Sequence, residues 1–231
     1  RPYESDGRAV YTADPSSVTE GTALVLDAPV TPPTRSALAG LSDAAIDSIS
    51  MQVFNSGPQP QAVDLGPVQA TLPPNILIQP WHRFALQVIA NTIDERPNYF
   101  ASIGGASSTL GLDGYNILEG LAFRLYPGNP DSDTTGAIEA MPPRGEWTPF
   151  TGFWVDMPRT ERLMSEVFVH RGGIPDWDHW PDHSTVGIPN YYAWAYLGLL
   201  QGSINREDVE GVDRWRTEAE AWTELGRRFD R

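Results

Sequence analysis

Twenty-one prolines and twenty-one glycines run through these 231 residues, and that punctuation sets the scale of every element the chain can build. Proline removes a backbone donor and fixes φ, and glycine frees the backbone. Together they cut the chain into short pieces and argue against a long-helix bundle. A core is still within reach: 40% of residues are hydrophobic, and eight Trp, eight Tyr and eight Phe bury enough area to offset the ordering entropy of many loops. The expected fold class is α+β. It would comprise a small mixed sheet with flanking helices, a Pro-rich extended N-terminal arm over 1–40 and a body over 41–186. A C-terminal tetratricopeptide-like helical hairpin over 187–231 would pack on that body.

In the arm, Pro2, Pro15, Pro29, Pro32 and Pro33 leave one compact apolar run, Ala23 to Leu26, as a single strand. Ser42 is an N-cap opening a short helix at Asp43, and Asn55 to Gln61 is a loop. Val68 to Leu72 has strand character. From Pro80, the residues Trp81, Phe84, Ala85, Val88, Ile89 and Thr92 recur at helical spacing, and proline suits the first turn. Asn98 to Ile103 and Leu121 to Tyr126 read as strands, with a short helix around Tyr115 to Leu118 between them. Pro127 to Pro149 reads as loop. Met157 opens a helix running to His170, which caps its C-terminus, and Gly172 and Gly173 stop it. Another helix spans Tyr191 to Gln201. Asn205 then caps a last helix in which Val209, Val212, Trp215, Ala219, Trp222, Leu225 and Phe229 share a stripe. A lone helical pair cannot bury both faces, so it must pack on the body or on a partner.

The formal net charge is −14, from 30 acidic and 16 basic residues, and every basic residue is Arg. Such a field repels nucleic acid and an anionic lipid surface alike, and attracts a basic protein. The absence of Cys excludes disulfides, thiolate metal sites and Cys nucleophiles. No run approaches the roughly 20 apolar residues of a spanning helix, so no spanning segment is expected. The chain opens on Arg1 without a signal-like apolar run, which suits a mature exported product or a trimmed fragment. The expected location is periplasmic or extracytoplasmic, peripheral to a membrane.

The densest cluster of ligand-type side chains is the loop from Asp176 through Trp177, Asp178, His179 and Trp180 to Asp182 and His183. Asp176, His179 and His183 are the candidate metal ligands, but Pro181 keeps the two His off one helical face. The other reading is a solvated interface loop anchored by Trp177 and Trp180, since Trp is enriched at binding hot spots. Asn129 to Gly136, with Glu139 beyond, is oxygen-rich like a calcium loop but lacks the distal Glu at its required spacing. Ser102, Ser107 and Ser108 lie near Gly104 and Gly105 without a nucleophile-elbow pattern or a His partner. His82 reads as a packing or helix-surface residue. Pairs such as Asp156 with Glu161, or Asp94 with Glu95, read as solvated acids. No catalytic set emerges and no cofactor is implied.

Three stretches carry a resemblance: Thr71 to Pro74 through Trp81 to Leu86; Arg96 to Ala101 with Gly120 to Leu125; and Asp156-Met157-Pro158-Arg159-Thr160. Together they resemble the soluble C-terminal region of a bacterial family of multi-spanning membrane proteins related to protein O-mannosyltransferases. The resemblance covers roughly Val68 to the end. It implies an extracytoplasmic position and tetratricopeptide-like terminal helices, with transferase activity in a membrane-embedded part this sequence lacks, so no catalytic residue carries over. A narrower resemblance is to membrane-extrinsic accessory subunits of bacterial photosynthetic reaction-centre and light-harvesting complexes, which brace the core.

The function expected from this reading is a non-catalytic accessory subunit docking on a larger membrane complex. The arm (Pro2, Tyr3 and Tyr11 within it) and Trp177 and Trp180 would form its interface. The alternative is a severed acceptor-binding domain of a glycosyltransferase-like membrane protein.

Overall fold

The computed structural model describes residues 39–101, 106–141, 153–168, 174 and 187–229, together with the strands at 10–11 and 24–25. The chain divides into two compact units, Arg1–Asp43 and Ala44–Arg231. In the first, β1 (Val10–Tyr11) pairs antiparallel with β2 (Leu24–Val25), so Leu24 and Val25 have a strand partner that the sequence did not advertise. Helix α1 (Asp43–Asp47) follows Ser42 as expected.

The second unit begins with two antiparallel ribbons. Strand β3 (Phe54–Asn55) pairs with β6 (Leu77–Ile78), and β4 (Gln61–Asp64) pairs with β5 (Gln69–Leu72). In β5, Ala70 and Leu72 are buried and alternate with exposed residues, the period of a half-buried strand. Helix α2 (Pro80–Thr92) packs on this layer through Leu86 and Ile89, with Ile93 just beyond its end. The helix is where the sequence places it, and Ile89 and Thr92 face inward as expected, but in its first two turns His82 and Leu86 are buried in place of Trp81 and Phe84. His82, Leu86, Ile89 and Thr92 are buried, whereas Trp81 is exposed. The shift is possible because His82 Nδ1 accepts a hydrogen bond from the backbone N–H of Gln79 (3.0 Å), half of a capping box that satisfies a donor at the helix start.

After α2 come β7 (Asn98–Phe100), α3 (Ala106–Thr109), β8 (Asn116–Glu119), β9 (Ala122–Leu125), β10 (Ile138–Ala140) and β11 (Trp154–Asp156). These five strands form one sheet in the order β10-β11-β8-β9-β7. It is mixed: β11 runs parallel to β8, and every other neighbouring pair is antiparallel. The expected short helix at Tyr115 to Leu118 is instead a 3-10 turn, Asp113–Tyr115, followed by the central strand β8. All four residues of β8 are buried, so there is no apolar–polar alternation for sequence reasoning to detect. Likewise Pro127 to Pro149 is not all loop, because it holds a 3-10 turn (Pro130–Ser132) and β10.

Register assigns the faces of this sheet. Leu118, Phe123, Leu125 and Val155 share one face, and Tyr99, Glu119, Arg124 and Asp156 share the other. The apolar face carries two cores. Leu125 joins the α2 layer, while Leu118, Phe123 and Val155 join the C-terminal helices.

Those helices are α5 (Ile188–Asn205) and α6 (Val209–Phe229), reached after α4 (Met157–Arg162), which widens into a π turn over Leu163–Val167. The helix expected to run to His170 ends earlier, at Val167, because Phe168 leaves helical geometry (φ −86°, ψ 36°); His170 itself lies outside the described residues. Helices α5 and α6 form an antiparallel pair whose Trp215, Ala219, Trp222 and Leu225 are buried with Ala195 and Leu199 against the sheet's apolar face. Gly198 sits directly over Leu118 and Val155, so α5 lies close on the sheet. Asn205 does not cap α6. It ends α5, and the cap is Asp208, whose Oδ1 accepts from Gly211 N (3.1 Å). Val209 is exposed and Trp215, Ala219, Trp222 and Leu225 carry the stripe. Among the described residues, no helix is long and apolar enough to cross a membrane.

Candidate functional site

The polar face of the sheet gathers its charges around one residue. Tyr99 on β7 stands directly opposite Arg124 on β9, and Arg124 stands opposite Ile117 on β8, which makes Glu119 its diagonal neighbour. Tyr99 Oη donates to Glu119 Oε2 at 2.8 Å. Arg124 Nε lies 2.6 Å from Glu119 Oε1, a charge contact whose N–H is not aligned as a hydrogen bond. Arg159 Nε approaches Oε2 at 3.4 Å. The Glu119 side chain is 4% exposed, and a carboxylate buried so deeply persists only with such partners. Burial raises the Tyr99 hydroxyl pKa above its ordinary value, and the hydrogen bond to Glu119 and that residue's charge add to the shift, while Arg159 and Arg124 oppose it.

The segment Asp156-Met157-Pro158-Arg159-Thr160 delivers Arg159 to this cluster. Asp156 Oδ1 caps α4 by accepting from Arg159 N (3.0 Å), and Pro158 sits in the first turn, where its missing donor costs nothing. The fully buried Thr160 donates to Leu118 O (2.9 Å) and accepts from Gly120 N (3.2 Å), clamping α4 onto the β8–β9 turn. A cleft of about 470 Å³ opens beside the cluster, rimmed by Asp94, Glu95, Arg96 and Pro97 from the α2–β7 turn and by Pro127 after β9.

A second feature is an apolar corner. Met51, Val53, Phe54 and Trp81 are exposed, in the segment entering β3 and the first turn of α2; Leu77 on β6 is exposed too, but it pairs with Asn55 and so faces the other side of the ribbon from Phe54. The Arg83 guanidinium holds this corner together by donating to the carbonyls of Ser50 and Gln52 and stacking 4.6 Å over the Phe54 ring. Between Asp47 and Asp94 the only formally charged residues are Asp64 and Arg83. That near-absence of charge in so acidic a chain is the sequence signal that could have located the corner.

Several residues singled out in the sequence are not brought together. Ser107 and Ser108 both donate to Asp113 Oδ1, tying α3 to the 3-10 turn. Asn129 Oδ1 accepts from Asp131 N, Asp133 Oδ2 accepts from Thr135 Oγ1, and Glu139 pairs with Arg206 at 2.8 Å. Asp156 and Glu161 have separate tasks, since Glu161 pairs with Arg214 at 3.0 Å. Among the described residues, no group of three or more His, Asp or Glu side chains is placed to hold a metal ion. Asp176, Trp177, His179, Trp180 and His183 lie outside the described residues, as do Pro2, Tyr3, Ser102, Gly104, Gly105, His170, Gly172 and Gly173. Of Tyr11, only its place in β1 is described.

Comparison with protein families, with characterised proteins and with solved structures finds no match to this chain. Its chemistry is therefore read from the cleft and the corner themselves.

Proposed function

We propose that this protein is a non-catalytic, membrane-extrinsic accessory subunit that docks on and braces a larger membrane complex from the extracytoplasmic side. The exposed apolar side chains of Met51, Val53, Phe54 and Trp81 carry this reading. Exposed apolar side chains gathered in one place mark interaction surfaces, and aromatic, Met and Arg residues are enriched there. Elsewhere the net charge of −14 opposes approach to an acidic surface. At the corner the Arg83 cation stands over Phe54, which eases the approach of an apolar or mildly acidic subunit surface. The occupant is an integral membrane subunit, with the proline-rich segment 1–40 laid along it and the tetratricopeptide-like pair α5–α6 holding the sheet behind the corner. The resemblance to photosynthetic accessory subunits makes a reaction-centre and light-harvesting core the first partner to try.

The test is a photo-crosslinking residue at position 81 in native membranes, alongside the double variant Phe54→Ser/Trp81→Ser. The expected result is a cross-link to an integral membrane subunit, with co-purification of that subunit falling about tenfold or more in the double variant while its unfolding transition holds. A chain that leaves gently solubilised membranes alone and uncross-linked overturns the reading. The alternative, an acceptor-binding domain of a glycosyltransferase-like protein, draws its support from the arginine-bearing cleft at Glu119.

A further inference from the structure

We propose that protonation of His82 releases the apolar corner, so that docking there holds at neutral pH and is lost in mild acid. The inference rests on the corner being the docking surface and adds the control of that surface.

The first turn of α2 holds both the exposed and the buried part of this device. Trp81 is 51% exposed and His82 is 4% exposed. Their ring centroids lie 3.6 Å apart, so displacement of one ring displaces the other. His82 Nδ1 accepts from Gln79 N at 3.0 Å, which puts the single proton of the neutral imidazole on Nε2. Arg83 follows directly. Its guanidinium donates to the carbonyls of Ser50 and Gln52 and lies over the Phe54 ring. The side chains that shape the corner are thus tied to the turn that His82 pins.

A second proton removes the pin. Once Nδ1 carries hydrogen, it meets the Gln79 N–H donor to donor, and a charged ring is left in a buried site. Burial lowers the His82 pKa, and no carboxylate among the described residues offsets it. The layer packed on α2 brings Asp64 on β4 and Asp113 and Tyr115 in the 3-10 turn, with Glu119 and Arg124 on the sheet beyond. Asp113 accepts from Ser107 and Ser108, while Glu119 is held by Tyr99, Arg124 and Arg159 on the sheet's other face. On its own helix the adjacent charge is Arg83, of the same sign as an imidazolium, and Asp94 lies beyond the far end. The charged ring gains by turning out to water, which carries Trp81 with it and opens the first turn. A group whose pKa is lowered in the closed turn keeps it shut above the ordinary 6.5 and opens it as pH falls through the lowered value.

Two measurements on the full chain separate the switch from the docking. In the free protein, the His82 ring carbons, the Gln79 amide and the Trp81 indole are followed by NMR from about pH 7.5 to about pH 4.5. One common midpoint below 6.5 is expected, with faster hydrogen exchange at the Arg83 amide, which donates to Gln79 O in the closed turn. In native membranes depleted of the chain, added protein carries a photo-crosslinker at position 53, which leaves Trp81 intact. The concentration needed for half-maximal cross-linking is expected to rise about tenfold per pH unit below that midpoint, the slope of a single proton. His82→Gln keeps an acceptor that does not titrate and is expected to remove this slope; His82→Asn takes its place if that variant does not fold. A Gln79 amide or Trp81 indole that fails to follow His82 down to the pH of acid unfolding overturns the switch. Equal cross-linking at the two ends of the range, or an unchanged slope in a folded His82 variant, overturns it too. Absence of cross-linking at every pH overturns docking at the corner instead, and the titration of the free protein then decides by itself whether the turn opens.

Discussion

The ring of Tyr192 lies nearly flat on that of Trp222, with centroids 4.2 Å apart and planes 11° from parallel. This contact joins α5 to α6 at the point where both press on the sheet, and Trp222 is 1% exposed. Trp222→Ala would remove the largest fully buried side chain among the described residues and leave a cavity between the helices. The expected loss is about 3–5 kcal/mol in urea unfolding, with a smaller loss for Trp222→Phe. Equal stability of the Ala variant and the parent would show that the helical pair does not carry this core.

Alkaline titration should report on the same helices. Burial pushes Tyr196 up to about 12, Glu218 and Tyr192 push in the same direction, and Arg214 opposes them. Burial also raises Tyr192. A phenol whose pKa is raised on folding contributes stability in full below its ordinary value of 10.0, and that contribution is lost as pH rises through the folded value. Between pH 10 and about 12 the parent should therefore lose stability faster than Tyr196→Phe. Parallel loss in the two proteins, followed by phenolate absorbance and denaturant midpoint, would contradict the assignment.

At the acid end the sensitive group is His82. Burial lowers its pKa below the ordinary 6.5, and its Nδ1 must stay unprotonated to accept from Gln79 N. Its contribution is complete above 6.5 and declines as pH falls from there through the folded value, because the unfolded chain takes up the proton first. His82→Gln keeps an acceptor at that capping position without a titrating ring. It should flatten the stability profile below pH 6.5 relative to the parent, as read from chemical unfolding at a series of pH values.

Among the glycines whose surroundings are described, Gly111 is the one whose added Cβ would meet backbone. Its φ is +66°, and a Cβ there would overlap the backbone carbonyl of Thr71 on β5. Gly111→Ala should cost at least about 2 kcal/mol by combining strain with displacement of a strand. Gly136 has a similar φ of +70° but open space around it, so Gly136→Ala should cost only about 1–2 kcal/mol. Similar losses at the two sites in thermal unfolding would mean that β5 yields to the added methyl.

The helices with a clear one-sided pattern were legible in the sequence. Pro80 marked the start of α2, and Trp215, Ala219, Trp222 and Leu225 recur at the spacing that buries one face of α6. What failed was phase and cover. Trp81, the most hydrophobic-looking residue of α2, is outside and His82 is inside, because a capping hydrogen bond and not hydropathy decides that turn. Strand β8 was read as helix because it is covered on both faces, and β10 escaped notice because its partner β11 follows only after a further stretch of chain.

The site shows the same division. The segment Asp156 to Thr160 stood out in the sequence as a compact motif, yet nothing local says that Asp156 caps, Thr160 clamps and Arg159 pairs with Glu119 forty residues earlier. The sequence by itself determined the class of the fold, the short elements between its prolines and glycines, and an acidic chain without thiol chemistry. Tertiary structure alone decided that Tyr99, Glu119, Arg124 and Arg159 meet on one sheet face and that Met51, Phe54, Leu77 and Trp81 are left uncovered. Local propensity and hydropathy act over a few residues, whereas strand register and the choice of which apolar side chains are covered are set by contacts between distant segments.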